Sequence, residues 1–293
     1  MIYDINENLL ATIYDKSGTT LEQAYNKSGE LVYTSENPTI KVMDYNVGQW
    51  YDGTHTRVPS AKDAEYYALQ NGMIENADPD ILVMEEYLTQ FSDTGRSALT
   101  MLQQYFPYIH EENAVNSVSS GSGRCIASKY PITNYVTHQY TQTGSPRYYD
   151  SCTITVDNTP ITVVVTHLNY NASSDTSRIN QLNELKTFCQ SQERFIACGD
   201  LNTLDCKSTS GSDYQSMIVP LLNAGFHLAN CSDFGFLVTY SDEPIATWTG
   251  CLDNIITSSN ITITDAYVDT AKLTDGFTEK ADHMPLIAEL QLN

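Results

Sequence analysis

No apolar run in this chain is long enough to cross a bilayer: the longest, 161–165 and 81–84, fall far short of the roughly 20 residues a spanning helix needs. Basic residues are scarce too. Fifteen lysines and arginines stand against 36 acidic residues, for a formal charge of −21. A field of that sign repels nucleic acid and anionic membranes at long range, which weighs against a scaffold that holds DNA by charge alone. It leaves room for an enzyme that needs Mg2+ or Ca2+, because a bound cation reverses the local sign where a phosphate must sit. The seven cysteines include no closely spaced pair of the zinc-site kind. Cys125, Cys152, Cys198 and Cys251 sit in or beside apolar runs and read as buried free thiols, which points to a reducing compartment. Only 17% of residues are charged, while 41% are apolar or aromatic. The chain therefore has material for a core and lacks the composition of a disordered segment. The start, Met1-Ile2-Tyr3-Asp4, has neither a basic region nor an apolar stretch, so no export signal is expected and the cytoplasm is the default compartment.

What is present falls into two unequal parts. Over the first 36 residues, Tyr3-Asp4, Tyr14-Asp15 and Tyr25-Asn26 recur every eleven residues, each followed by turn-prone residues and then a leucine. The repeat reads as strand–turn–strand, a small β appendage over 1–38. Three short strands bury little surface alone, so the segment is expected to pack on the main domain, on a second copy or on a partner. It is similar to Tyr-Asp repeat modules at the ends of some bacterial and phage proteins, which implies attachment or self-association.

From residue 39 to 293 no low-complexity linker intervenes, and the segment reads as one domain. Short apolar runs enriched in β-branched residues predict strands at 40–45, 81–84, 124–128, 152–156, 161–166, 195–198, 252–257 and 285–290. Helices are expected at 60–77, 95–105, 175–190 and 213–224. In the third of these, Ile179, Leu182, Leu185 and Cys189 form one stripe, with Asp175 or Ser174 as N-cap. Strand–helix alternation with some strand-to-strand steps predicts a mixed α+β domain.

Polar residues gather where these runs end, the place where such sheets present a site. They are Asn46 after 40–45, Glu85-Glu86 after 81–84, and His167 after 161–166. Asp200-Leu201-Asn202 follows 195–198, Asp253 begins another run, and Asp282-His283 precedes the last. Each has a plain structural reading as well. A histidine closing a strand can be a capped structural residue, and Asp200-Leu201-Asn202 can be an Asx turn. Glu85-Glu86 can be a solvated strand end, and Asp282-His283 a surface pair.

Taken together and in this order, the residues resemble the endonuclease/exonuclease/phosphatase superfamily, also described as the deoxyribonuclease I-like fold. That family shows a strand ending in Asn, a strand ending in Gln-Glu, Thr-His-Leu, Gly-Asp-Phe-Asn, an Asp at a strand start and Ser-Asp-His. The chain matches all six over roughly 40–291, with Glu85 for Gln, Leu201 for Phe and Ala281 for Ser. The resemblance implies a four-layer α/β/β/α sandwich of two mixed sheets. It also implies a metal-dependent phosphoesterase with Mg2+ or Mn2+, and Ca2+ as an alternative. By position, Glu86 would be the principal metal ligand, with Asn46 near it and Asp282 in a metal shell. Asp200 and Asn202 would position or deprotonate the attacking water. Asp253 would orient His283, and His167 would hold a phosphate oxygen. The sequence does not choose which histidine is the acid. Arg147, ahead of a strand, is a candidate phosphate clamp with Asn46 beside the substrate, whereas Arg124 is expected to pair with a surface carboxylate.

On substrate, Asn46-Val47-Gly48-Gln49-Trp50 lacks the Asp-Gly step usual in the abasic-site repair branch. Lipid-cleaving members need an exposed apolar loop, for which Trp50-Tyr51 is a small candidate, and the −21 charge opposes anionic bilayers. Tyr51, His55 and Arg57 would instead stack on a base or sugar. A nuclease acting on DNA or RNA is the leading expectation. A phosphomonoesterase or a lipid phosphodiesterase is the alternative, and an inactive binding module is a more distant one.

Overall fold

The computed structural model describes residues 37–50, 63–90, 97–112, 123–141, 147–170, 175–241, 249–270 and 283–293, with the backbone of 23–25 and 31–34. In chain order the strands begin with β1 (Gln23–Tyr25), β2 (Leu31–Thr34), β3 (Thr39–Asn46) and β4 (Ile81–Glu85). They continue with β5 (Tyr108–Glu112), β6 (Arg124–Ser128), β7 (Ile132–Gln139), β8 (Tyr148–Val156) and β9 (Thr159–His167). Then come β10 (Phe195–Asp200), β11 (His227–Leu228), β12 (Tyr240–Ser241) and β13 (Thr249–Gly250). The last are β14 (Asp253–Thr257), β15 (Ile261–Val268) and β16 (Leu286–Leu292). The helices are α1 (Asp63–Ala77), α2 (Ala98–Leu102), α3 (Asp175–Gln190) and α4 (Val219–Leu222).

Two six-stranded sheets carry the fold, in the orders β15-β16-β3-β4-β6-β5 and β11-β14-β10-β9-β8-β7. Each is built on one parallel pair, β3 with β4 and β9 with β10, flanked by antiparallel neighbours. A parallel pair needs a long crossover, and α1 and α3 supply it. Both pairs therefore start at the same end of their sheet and finish together. The sheets stack with helices outside, giving the α+β sandwich of four layers, although the helical layers are thin.

The period of two along each strand decides what each face does. Ile40 and Val42 of β3, Val83 of β4, Val163 and Val165 of β9, and Ile196 and Cys198 of β10 fill the gap between the sheets. Met43, Tyr45, Leu82 and Met84 face outward against Met73, Ile74 and Ala77 of α1. Val164 and Ala197 do the same against Leu182, Leu185 and Cys189 of α3. Removing each such side chain from water is worth about 1.5–3 kcal/mol before the entropy of ordering it.

Besides the two-residue strands β11, β12 and β13, three strands escaped the sequence patterns. β5, β7 and β15 are edge or near-edge strands whose side chains are largely solvated, so they lack the apolar runs that mark buried strands. The helix expected at 95–105 is a short turn, Ala98–Leu102, capped by the Ser97 hydroxyl accepting from the Thr100 amide at 3.1 Å. The one expected at 213–224 is broken into a π-helical segment, Tyr214–Ile218, and α4. Pro220 in the first turn of α4 has no N–H to continue the preceding ladder. The capping side chains of α3 and nearly all of 1–36 lie outside the described residues, apart from the antiparallel pair β1 and β2.

Candidate active site

The alternation that builds the inter-sheet core also builds the site. Following Ile40 and Val42, the next inward positions of β3 are Asp44 and Asn46, and after Ile81 and Val83 of β4 comes Glu85. His167 follows Val165, Asp200 follows Cys198, and Asp253 precedes Ile255 by one period. At this end of the sandwich the apolar rungs give way to polar ones, and all six are buried. Strand pairing sets them side by side: Asn46 opposite Glu85, Asp200 opposite His167 on one side and opposite Asp253 on the other.

Asp200 is the hub. Its Oδ2 accepts a hydrogen bond from Asn46 Nδ2 at 3.1 Å and lies 3.5 Å from His167 Nε2 and 3.6 Å from His283 Nε2. Its Oδ1 accepts the Asn202 amide at 2.7 Å. The Asx-type turn is therefore present, and it forms part of the site's wall. Asn202 sits in the left-handed region at φ 52°, which Asn tolerates, and its side-chain amide donates to the Leu168 carbonyl at 3.0 Å. Burial pushes the Asp200 carboxyl up to about 7, against the pull of His283. Gly199, just before it, has φ +147°, and a Cβ there would lie 1.9 Å from the Thr166 carbonyl oxygen of the parallel neighbour. That close approach restricts the position to glycine.

His283 Nδ1 contacts Asp253 Oδ2 at 2.8 Å, so the Nδ1 proton faces the carboxylate and Nε2 faces Asp200. The Tyr240 ring stands edge-on to the imidazole at 5.1 Å, and Thr239 Oγ1 accepts the amides of Leu252 and Asp253. Glu86 leaves β4 with φ 50°, which turns its side chain away from the strand's alternation. Its Oε1 lies 3.9 Å from His167 Nδ1. Burial first, then the charges of Arg147 and His283, hold His167 well below the usual imidazole range. Arg147 is partly buried, which lowers its pKa, against the opposing charges of Glu86 and Asp200.

The structure thus brings together Asn46, Glu86, His167, Asp200, Asn202, Asp253, His283 and Arg147. Asp282 and the loop with Tyr51, His55 and Arg57 lie outside the described residues. Three expectations are corrected. Trp50 is fully buried in the outer core, with Nε1 donating to the Leu88 carbonyl at 2.6 Å, so it cannot dip into a membrane. Arg124 pairs with a carboxylate, but a buried one: it forks onto Asp150, joining β6 of one sheet to β8 of the other. Glu85 is no solvated strand end, being fully buried against Asp44. Both Glu85 oxygens and Asp44 Oδ1 lack a donor, and the two carboxyls become compatible neighbours when one keeps its proton and donates it to the other. Burial, then the charge of Asp253, raises Asp44 well above the usual carboxylate range, and burial, then the charge of Asp44, does the same for Glu85. Asp44 Oδ2 also accepts the Gly199 amide at 3.1 Å across the gap between the sheets. Sequence reading missed Asp44, Thr239 and Tyr240; strict alternation from Val42 would have found the first, while no local pattern marks the other two.

A divalent cation suits this donor set. Carboxylate and amide oxygens dominate, and ligand atoms of Asp200, Asp253 and His283 all lie within 4.8 Å of one another. The chain matches the model of the Endonuclease/Exonuclease/phosphatase family over residues 68–275. Among solved structures it is similar to the endonuclease/exonuclease/phosphatase from Beutenbergia cavernae, with a TM-score of 0.66 at 16% identity, covering 87% of this chain and 72% of that one. A family protein from Leptotrichia buccalis gives 0.62 at 17%, covering 86% and 100%. D. rerio TDP2 complexed with single strand DNA product gives 0.64 at 12%, covering 87% and 100%. No curated protein matches in sequence.

Proposed function

The chain belongs to the endonuclease/exonuclease/phosphatase family, whose members are hydrolytic phosphoesterases that generally use a divalent metal, and from that premise we propose that it is a Mg2+-dependent phosphodiesterase acting on DNA or RNA. The observation that carries the reading is the buried row Asp253–His283–Asp200–Asn46, drawn from both sheets to one point. A structural role alone gives no reason to bury two carboxylates and an imidazole so close together.

Glu86 and Asn46, with Asp282, would hold the cation, which when bound neutralises charge on a phosphoryl oxygen and makes water more acidic. Asp200, fixed by Asn46 and the Asn202 amide, orients the attacking water and takes its proton. Asp253 fixes the His283 tautomer, so that Nε2 is aimed into the site. His167 is kept neutral by burial and presents a ring N–H to a non-bridging phosphate oxygen. The Arg147 fork binds a second oxygen. Support for nucleic acid over lipid comes from two sources. D. rerio TDP2, of the same fold, was solved with a single strand DNA product, and Trp50, the described half of the Trp50-Tyr51 candidate for membrane contact, is buried. Residues 39–293 form the catalytic unit in this reading, and 1–38 an appendage for attachment or self-association.

The deciding experiment is turnover of bis-(p-nitrophenyl) phosphate with Mg2+, Mn2+ or EDTA, run beside plasmid DNA, RNA, sphingomyelin and inositol phosphates. EDTA-sensitive cleavage of the small diester and of DNA or RNA is expected. Turnover of a lipid or inositol phosphate with nucleic acid untouched rejects the nuclease. Inertness toward all of them leaves a binding module.

A further inference from the structure

Behind the site, on the outer face of the second sheet, three cysteines converge that the hydrolytic chemistry does not use. Cys206 lies four residues after Asn202, Cys231 follows β11, and Cys251 stands two residues before Asp253. All three are buried. Cys206 Sγ donates to Cys231 Sγ at 3.0 Å, and Cys251 packs in the same buried cluster. Cys231 is held there with φ 62°, a left-handed conformation unusual for cysteine. Its amide donates to the Gly235 carbonyl and to Asn230 Oδ1, each at 2.8 Å, which fixes the turn.

We propose that Cys206 and Cys231 are a redox modification site, at which a low-molecular-weight disulfide joins the two. Two sulfurs already in contact allow the closing attack without large movement, once a local opening admits the small disulfide to this buried pair. One cysteine of the pair loses its proton to solvent, and its thiolate attacks one sulfur of the small disulfide, forming a mixed disulfide and expelling one small thiolate, which takes up a proton. The other cysteine then loses its proton and attacks the protein sulfur of the mixed disulfide, expelling the second small thiol. Two protein thiols are oxidised to one disulfide, and one small disulfide is reduced to two thiols. The product ties the segment behind Asn202 to the turn after β11. These segments already join the strand of Asp253, through the Leu201 amide on the Leu252 carbonyl and the Thr203 hydroxyl on the Cys251 carbonyl.

The test is to incubate the full folded chain with oxidised glutathione, block remaining thiols under denaturing conditions, and map the digest by mass spectrometry. The expected result is a Cys206–Cys231 cross-link, two fewer free thiols, and full reversal by dithiothreitol. It should come with a rise in Tm of roughly 5–10 °C. Cys251→Ser, which leaves both contacting sulfurs in place, should still form the cross-link. Cys231→Ser should give no cross-link and no rise in Tm, and the map of the parent chain decides the matter if that variant fails to fold. All seven cysteines still free after prolonged incubation would overturn the proposal. So would glutathione left standing on these residues, or a cross-link that omits Cys206 and Cys231.

Discussion

Single residues here act through what they face. Glu86→Gln keeps side-chain volume but weakens the proposed metal site, so kcat should fall roughly 100-fold or more at limiting Mg2+ while Tm holds; near-parental turnover would remove Glu86 from the metal. Asp253 and His283 touch at 2.8 Å and should act as a unit. Either alanine variant should cost about 100-fold or more, and the double variant little beyond His283→Ala alone. Losses that multiply would mean the two act separately. Glu85 answers to pH. Its folded-state pKa is raised by burial first and then by Asp44, so the folded protein holds a proton that the unfolded chain gives up. Stability from this group is present below the unfolded pKa of about 4.3 and is lost as pH rises through the folded value. In EDTA, Glu85→Gln should therefore melt above the parent at about pH 8, by roughly 2–4 °C per kcal/mol recovered, with the gap closing near pH 4. Equal melting curves at both pH values would show that the pair does not share a proton.

At the scale of elements, the buried strands were legible and the edges were not. The sequence patterns found β3, β4, β6, β8, β9, β10, β14 and β16 because each is apolar on both faces or nearly so. They marked the candidate site because polar residues interrupt those runs at one end. What they could not supply was depth. Glu85 and Arg124 carry charges that usually mean surface, and both are buried by partners in other strands, Asp44 and Asp150. Such pairs depend on contacts distant in sequence and leave no local mark. The Arg124–Asp150 clamp between β6 and β8 gives the sharpest test of this. Arg124→Ala strands a fully buried carboxylate and should cost roughly 3–5 kcal/mol in urea unfolding. Replacing both residues by apolar ones of similar size should recover most of it. A single-variant cost under about 1 kcal/mol would show that the clamp is solvated in solution.

For the whole molecule, the net charge of −21 and the proposed polyanionic substrate work against each other. Basic nucleic-acid binders lose affinity steadily with salt as they release counterions. Here moderate salt should first speed cleavage by screening repulsion beyond about 10 Å, and higher salt should then weaken the Arg147 and metal contacts. Nuclease rate against NaCl at saturating Mg2+ should pass through a maximum. A monotonic fall from the lowest salt would reject the repulsion argument.

The order of the first sheet bears on how the site comes into being. β3, which carries Asp44 and Asn46, has β4 on one side and β16 on the other, and the pairing of Asp44 with Leu286 joins residues about 240 positions apart. One wall of the site closes through a local crossover, the other only after the chain has searched across most of its length. Secondary structure should thus return early in refolding while hydrolysis lags, because His283 arrives with the late strand. If the proposed nuclease activity holds, a partly folded chain of this kind is harmless to nucleic acid until its last long-range contact is made.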